Sequence, residues 1–329
     1  KISFDAPAMT ITVNPVEWNG TVLNPILPNL IINASIEGTD IVKAGDGVLR
    51  LSGANAWTGN FDLQSGGLLL GNNSALSSGT LTIGNNTFLS STADNRTIAN
   101  DYTVNGDFAL KDAFSLTLNG NSALAAGNHT ISVDLATKSL TLGGILTGSG
   151  SLTKAGDGIL VLGNNSNAYT GSTTVSDGIL RYGAVDAVPT GTALTVSEGG
   201  LLDITTGGSV VTVGSLAGNS ATQGGLVYTG VTSGTVTFTA GANNTSTDFG
   251  GVIANAAGST LNFVKAGTGT LTLGGLNLYS GSTTVRNGRL IAKAVGGNSP
   301  LGTSQSLIMG GNGNSGILQL GDSSGALDH

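Results

Sequence analysis

Short runs in which apolar residues alternate with Thr, Ser or Asn recur along the whole chain. Typical runs are Val48–Leu51, Ser115–Leu118 and Thr270–Leu273, and Gly or Asn residues bound most of them. A period of two places alternate side chains on opposite faces of an extended strand. No long stretch combines a 3.6-residue apolar period with a capping residue. The pattern therefore predicts an all-β chain built from many short strands.

One motif returns at a fixed interval. Lys43–Gly47 reads Lys-Ala-Gly-Asp-Gly, and it recurs at Lys154–Gly158 and, with Thr268 in place of Asp, at Lys265–Gly269. Both intervals, 43 to 154 and 154 to 265, are 111 residues. A propeller blade repeats every ~40–50 residues, whereas coils of roughly 20–25 residues divide this period into about five turns of a solenoid. We predict a right-handed parallel β-helix, or β-solenoid.

The repeat also predicts the domain organisation. We expect a single β-helix segment over residues 1–329, with super-repeat blocks starting near 43, 154 and 265. Residues 1–30 hold four of the six prolines, which cannot donate to a strand ladder, so we interpret them as irregular first coils or a cap. The first residues do not form a signal peptide. We therefore expect the chain to be part of a larger protein whose export signal or anchor lies outside it.

Composition excludes several functional classes. The chain has 12 Lys+Arg against 19 Asp+Glu and a net charge of −7, which leaves no basic stripe for nucleic acid or for an anionic membrane surface. It has no cysteine, so it can form neither disulfides nor thiolate metal sites. We expect contact with a membrane only through an anchor outside this chain.

The repeat also carries a family resemblance. Leu152–Gly163 reads Leu-Thr-Lys-Ala-Gly-Asp-Gly-Ile-Leu-Val-Leu-Gly, and Tyr169–Val175 follows as Tyr-Thr-Gly-Ser-Thr-Thr-Val. This resembles the autotransporter-associated β-strand repeat, also called the passenger-associated transport repeat. The copy at Tyr279–Val285 keeps the second pattern with Ser280 for Thr. The first copy departs from it, with Trp57 for Tyr and Asn60–Leu63 in place of Ser-Thr-Thr-Val.

The resemblance implies a β-helical passenger of a Gram-negative bacterium, extracellular and at the cell surface, either anchored to the outer membrane or secreted. It implies an adhesin or a fibre-like scaffold rather than an enzyme. The repeat brings no catalytic, cofactor-binding or metal-binding residues, and we expect none. The expected partners are glycans or proteins on host or neighbouring cells, with end-to-end self-association as a further expectation.

Three recurring aromatic residues are the candidate binding residues. Trp57, Tyr169 and Tyr279 occupy equivalent places after each Lys-Ala-Gly motif. Flat rings can stack on sugar faces, so these residues are candidate ligand-stacking aromatics. Packing on a turn would produce the same recurrence. Both interpretations stay open at the level of sequence.

Other candidate chemistry is better explained by turns. Asp46 and Asp157 lie in Gly-Asp-Gly segments, which are typical of tight turns. Gly321–Gly325 fits the Gly-x-Ser-x-Gly pattern around Ser323, and Gly311–Gly316 fits a dinucleotide fingerprint, but neither has the strand and helix context that its chemistry needs. Of the two histidines, His329 is terminal and His129 is expected at a surface or turn.

Two alternative functions remain open. Enzymes that cleave polysaccharides, either lyases or glycoside hydrolases, use the same β-helix and place acidic and basic residues along one face. Here only isolated charges are available for such a role, among them Lys43, Arg50, Lys111, Asp112 and Arg181. The second alternative is a self-assembling filament or surface-layer subunit.

Overall fold

The fold was determined as a computed structural model, which describes residues 1–4, 7–111, 113–206, 210–218, 224–293, 299–303, 306–311 and 313–321. Within these ranges all regular secondary structure is β-strand. The predicted all-β, parallel β-helix class is confirmed. None of the described residues form a helix long and apolar enough to cross a membrane. The chain divides into two compact units, residues 1–163 and 164–329, which are described in turn.

Unit 1 is built from short strands in chain order. They are β1 (Ile2–Ser3), β2 (Ala8–Thr12), β3 (Glu17–Trp18), β4 (Thr21–Val22), β5 (Leu30–Ile32), β6 (Ile36–Glu37), β7 (Asp40–Ala44), β8 (Val48–Leu51), β9 (Phe61–Leu63), β10 (Gly67–Leu70), β11 (Leu81–Ile83), β12 (Thr87–Ser91), β13 (Arg96–Ile98), β14 (Tyr102–Val104), β15 (Phe108–Leu110), β16 (Leu116–Leu118), β17 (Ser122–Leu124), β18 (Asn128–Val133), β19 (Ser139–Leu142), β20 (Leu146–Gly148), β21 (Ser151–Ala155) and β22 (Ile159–Leu162).

Three parallel sheets run along unit 1 beside the parallel pair of β1 and β6, and from β11 onward the chain visits the three in turn. Their orders are β5-β8-β10-β12-β15-β18-β21, β2-β7-β9-β11-β14-β17-β20 and β13-β16-β19-β22. Strands β14, β15 and β16 thus make one coil, and β17, β18 and β19 make the next. Leu116 pairs with Leu140, 24 residues later, which agrees with the coil length expected from the sequence.

In-register stacking builds the core of unit 1. On β8, β10, β12 and β15 the inward row consists of leucines, and each is at most 1% exposed: Leu49, Leu68, Leu89 and Leu110. Burying such a side chain contributes roughly 1.5–3 kcal/mol. One coil alone would leave this row in water, so neighbouring coils stabilise each other.

Unit 2 repeats the same construction. Its strands are β23 (Thr173–Val175), β24 (Gly178–Tyr182), β25 (Ala193–Val196), β26 (Gly200–Asp203), β27 (Val210–Val213), β28 (Ser215–Ala217), β29 (Leu226–Thr229), β30 (Gly234–Ala240), β31 (Thr247–Phe249), β32 (Val252–Asn255), β33 (Ser259–Lys265), β34 (Thr270–Leu273), β35 (Thr283–Val285), β36 (Gly288–Lys293), β37 (Leu307–Met309) and β38 (Gly316–Gly321).

The sheets of unit 2 are also parallel. Their orders are β23-β25-β28, β24-β26-β29-β32, β27-β30-β33-β35-β37 and β31-β34-β36-β38. Aromatic rings form part of the core, because Phe238 and Phe263 are in register and their ring centroids lie 6.2 Å apart. Tyr279 extends this contact, with its ring 6.0 Å from that of Phe263. Such tilted ring pairs add to the burial energy.

The first thirty residues include an antiparallel hairpin that sequence reasoning did not identify. Strands β3 and β4 are joined by Asn19 and Gly20, whose φ angles are 49° and 75°. An Asn-Gly pair with positive φ is typical of a two-residue hairpin turn. The chain returns to the helical stack at Asn29, whose backbone amide donates to Val48 O at 2.9 Å.

Candidate functional site

The lysine of each repeat is buried in the core rather than exposed. Lys43, Lys154 and Lys265 are at most 1% exposed. In β7 the inward positions are Ile41 and Lys43, so the lysine occupies a place that alternation assigns to an apolar residue. A buried ammonium requires hydrogen-bond acceptors to offset its lost hydration. The turn that follows the lysine supplies them.

The ammonium of Lys43 is surrounded by backbone carbonyls. It donates to Ala44 O at 3.1 Å and to Gly45 O at 2.6 Å within its own turn. A third bond, 2.9 Å long, reaches Ser65 O in the next coil. Gly45 has a φ of 76°, a left-handed conformation that glycine adopts without steric cost. Side chain and turn therefore form one unit.

The other two copies repeat this arrangement. Lys265 donates to Ala266 O, Gly267 O and Asn287 O at 2.6, 2.9 and 3.3 Å. Lys154 donates to Ala155 O and Gly156 O at 2.7 and 2.6 Å. Burial lowers the pKa of Lys265 to about 8, and it does the same for Lys43, where Asp46 partly opposes the shift.

The recurring aromatic residues are also in the core. Trp57, Tyr169 and Tyr279 are 1%, 1% and 0% exposed. The hydroxyl of Tyr169 is hydrogen-bonded to Thr173 Oγ1, and that of Tyr279 to Thr283 Oγ1, both at 2.7 Å. Burial raises the pKa of Tyr279 to about 12. With the rings enclosed, no face is open to a sugar in this structure, and the recurrence is explained by packing.

The first copy replaces this hydrogen bond by a ring contact. Trp57 stands where the tyrosines stand, and Phe61 stands where Thr173 and Thr283 stand. The two ring centroids are 5.9 Å apart. Phe61 begins β9, just as Thr173 begins β23. The register of Asn60–Leu63, which departs from the family pattern, therefore matches that of the other copies.

The remaining candidates from the sequence do not converge on a site. Asp46 and Asp157 are exposed in separate turns. His129 was expected at a surface or turn, and this was wrong. It lies on β18, is 3% exposed and donates from Nε2 to Ala125 O at 2.8 Å, because it shares the inward parity of Ile131.

Metal and nucleophile motifs add nothing to this picture. Where the structure describes the chain, no group of three His, Cys, Asp or Glu residues could hold a metal ion. Ser323 of the Gly-x-Ser-x-Gly pattern, Asn312 of the dinucleotide pattern, Asp112 and His329 lie outside the described residues.

Sequence reasoning missed an apolar cluster on the outward face of unit 1. Val48, Leu69, Phe88 and Ala109 point away from the inner core, yet each is at most 9% exposed. Phe88 packs over Gly67, where a Cβ would lie 2.2 Å from the ring atom Cζ. The run of apolar residues at Leu68–Leu70 was the sequence signal for burial on both faces of this strand.

The segment that contains the hairpin faces this cluster. A cavity of about 350 Å³ lies between them, lined by Pro15, Val22, Pro25, Asn29, Asp46, Gly66, Asn86, Phe88 and Lys111. A second cavity of about 340 Å³ shares Asn86 and Lys111 and extends to Asp107 and Thr130. The Lys111 ammonium lies 5.1 Å from the centre of the Phe88 ring, a cation–π distance. The outward face of unit 1 thus combines an apolar cluster with charged side chains such as Asp46 and Lys111.

Comparison with known proteins identifies the repeat. The passenger-associated-transport-repeat family matches residues 41–70, 152–181 and 263–292. Each match contains one buried lysine and its turn. The chain is also 33% identical, over 178 residues, to the Adhesin BmaC autotransporter of Brucella suis biovar 1 (strain 1330). That alignment covers 54% of this chain and 5% of the relative. No solved structure matches the chain significantly.

These matches confirm the resemblance read from the sequence, and with it the predicted location outside the cell, either secreted or anchored to the outer membrane. The chain thus carries three passenger-associated transport repeats and is similar to a segment of an adhesin autotransporter.

Proposed function

We propose that this chain is a non-catalytic, adhesin-like scaffold that presents its outward faces to glycans or proteins on other cells. The observation that carries the proposal is the recurring lysine turn, in which one side chain bonds the turns of successive coils. Such bonds favour a rigid stack whose outward faces are free to vary. The similarity to an adhesin autotransporter supports the adhesive role.

The alternative of a polysaccharide-cleaving enzyme is less well supported. Of its candidate basic residues, Lys43 is enclosed in a turn. Arg181 donates from Nε to Asp203 at 2.7 Å, and Asp203 also accepts from the amide of Thr205 at 3.0 Å. These groups serve the structure. A catalytic pair of carboxylates would need to lie within about 5–10 Å of each other across an open cleft.

Adhesion can be tested directly with the chain immobilised on fluorescent beads. Beads coated with the folded chain should bind to epithelial cells or to a glycan array, and beads coated with urea-unfolded chain should not. Equal binding by both preparations would contradict the proposal. Incubation with a panel of neutral and acidic polysaccharides should release no new reducing ends or unsaturated products. Reproducible product release would favour the enzyme.

End-to-end self-association remains a prediction. If copies of the chain stack end to end, electron micrographs of the purified chain at high concentration would show filaments. Separate particles would contradict the prediction.

A further inference from the structure

Three neighbouring strands of unit 1 form a groove on their outward face. β12, β15 and β18 are in register, so Phe88 lies beside Ala109 and Ala109 beside Ser132, ~4.8 Å from coil to coil. The small side chains of Ala109 and Ser132 form the floor. Lys111, two residues after Ala109, borders one side. Two residues earlier on each strand, the same register aligns a polar row along the other side: Asn86, Asp107 and Thr130.

The two cavities on the outward face of unit 1 lie along this groove. Their volumes of about 350 and 340 Å³ fall in the range of ~300–1,000 Å³ that is usual for small-ligand sites. Asn86 and Lys111 line both cavities and lie where the two meet. The cavities therefore form one continuous site, open to solvent, that a ligand longer than one coil can occupy.

Polar groups in the groove have hydrogen-bonding capacity to spare. Asn86 is exposed, and Lys111 and Thr130 are half-buried. Where the structure describes the chain, the side-chain amide, ammonium and hydroxyl of these three residues make no hydrogen bond. Asp107 accepts from the amide of Thr130 at 2.7 Å through Oδ1, and its Oδ2 has no partner among the described residues. The groove thus offers donors and acceptors that a ligand can reach.

Two of these groups are held in place before any ligand arrives. The ammonium of Lys111 lies 5.1 Å from the centre of the Phe88 ring and forms no ion pair with a described residue. Asp107 is fixed from two sides, since its own amide donates to Asn85 Oδ1 at 3.0 Å and its carboxylate holds Thr130. Groups that are already ordered lose less entropy when they bind a ligand.

The charges of the groove favour a neutral ligand that carries hydroxyl groups. Two carboxylates, of Asp46 and Asp107, and one ammonium, of Lys111, line the two cavities. The excess of negative charge disfavours an acidic glycan. A sugar hydroxyl can both donate to a carboxylate and accept from an ammonium. Val22 and Pro25 of the hairpin segment add an apolar wall, which suits the C–H face of a pyranose ring.

A peptide suits the same surface less well. β12, β15 and β18 are paired on both sides within their sheet, so they offer no open edge to which an extended peptide could add. A peptide side chain used as an anchor needs a deep apolar pocket. The apolar residues next to the groove, Phe88 and Ala109, are closely packed and at most 9% exposed.

We propose that the groove over β12, β15 and β18 binds a neutral oligosaccharide through Asn86, Asp107, Lys111 and Thr130. Asp107 accepts from sugar hydroxyls, Lys111 donates to them, and Asn86 does both where the two cavities meet. The site rests on the geometry of unit 1, whereas presentation of the oligosaccharide by another cell rests on the proposed adhesive function.

The test applies the whole chain to an array of neutral, sialylated and sulfated oligosaccharides, followed by calorimetry with those that bind. We expect binding of neutral oligosaccharides. The groove variant Asn86→Gly/Lys111→Met/Thr130→Val removes an amide, an ammonium and a hydroxyl, so it should bind at least roughly ten-fold more weakly. Glycine tolerates the φ of 56° at residue 86, methionine keeps the stem beside Phe88, and valine has the shape of threonine.

The matched control makes the same three types of change outside the groove, as Asn95→Gly/Thr117→Val/Lys293→Met. Asn95 also has a positive φ, of 62°, and Thr117 lies on the outward face of β16. Circular dichroism and urea unfolding show whether each variant is folded. Lys111→Met and Thr130→Val should each weaken binding several-fold on their own, so the test does not depend on the folding of the triple variant.

Three results would overturn the proposal. The first is equal binding by the groove variant and the control variant. The second is binding confined to sialylated or sulfated oligosaccharides. The third is a peptide, selected from a display library, that binds the parent chain but not the groove variant while no oligosaccharide binds, because the groove would then serve a protein.

The same variants distinguish this site from the proposed adhesive function. If the groove variant loses the oligosaccharide but its beads still adhere to cells, the site stands and adhesion uses another face. If the parent chain binds the oligosaccharide but its beads never adhere to cells, the adhesive function fails and the site stands. If the parent chain binds no neutral oligosaccharide, the site fails whatever the beads do.

Discussion

The buried ammonium of Lys43 donates to the carbonyl of Ser65, 2.9 Å away and one coil further along the chain. Lys265 makes the corresponding bond to Asn287 O at 3.3 Å. A parallel ladder joins coils only through their strands, whereas this bond joins their turns. The family repeat therefore corresponds to a physical element, a lysine that holds two successive glycine turns together.

Removal of this ammonium should destabilise unit 1. Lys43→Met keeps the aliphatic stem but removes the ammonium that donates to three partly buried carbonyls. We expect a loss of about 2–4 kcal/mol in the free energy of unfolding, measured by urea denaturation. The control is Lys293→Met, at a half-buried outward position of β36. If Lys43→Met is no less stable than the control, the hydrogen bonds of the Lys43 ammonium do not stabilise the fold.

The lysines should also make stability depend on pH. Lys43 and Lys265 have a pKa of about 8 in the folded chain against 10.5 for an unperturbed lysine. Between these values the unfolded chain binds more protons, so the free energy of unfolding should rise with pH. Above about pH 10 unfolded tyrosines ionise while Tyr279, with its raised pKa, does not, and the slope should reverse.

Urea midpoints between neutral pH and about pH 11 would test this dependence. The double variant Lys43→Met/Lys265→Met should lack most of the rise above pH 8. A urea midpoint that falls above pH 8 in the parent chain would mean the opposite balance. The hydrogen bonds from the charged ammonium to the carbonyls would then stabilise the folded chain more than burial of the charge destabilises it.

Gly67→Ala should disturb the outward apolar cluster. The new Cβ would lie 2.2 Å from Phe88 Cζ, so the ring must move, and we expect a cost of about 1–3 kcal/mol. At Gly191 a Cβ meets no atom within 4 Å, which makes Gly191→Ala the matched control. In a Phe88→Ala background the cost of Gly67→Ala should shrink. An unchanged cost would show that the strain arises elsewhere.

The aromatic pair of the first repeat should be exchangeable for the tyrosine–threonine pair of the others. Phe61→Thr alone leaves a cavity beside Trp57 and should cost about 2–4 kcal/mol. Adding Trp57→Tyr provides the hydroxyl that Tyr169 and Tyr279 use. The double variant should recover about 1 kcal/mol relative to the sum of the single changes. Simple additivity would indicate that the two positions do not substitute for each other.

The local sequence pattern was sufficient to predict the strands and coils, but it did not predict which polar residues are buried. His129 was interpreted by residue type, which places histidine at a surface or turn, and Lys43 was considered only as an isolated charge. The alternation of inward and outward positions along each strand was the better predictor of burial, since Lys43 shares a face with Ile41, and His129 shares one with Ile131. Whether a buried ammonium is tolerated depends on Ser65 O, which lies in another coil and is invisible to a local pattern.

By itself the sequence determined that the chain is all-β, that its strands repeat in coils, and that a Lys-Ala-Gly turn recurs every 111 residues. These features follow from the two-residue pleat and from glycine's access to positive φ, which are local properties. Only the tertiary structure decided that the three aromatic rings are enclosed and that Phe88 is covered on an outward face. The reason is that desolvation and charge pairing depend on groups brought together from different coils.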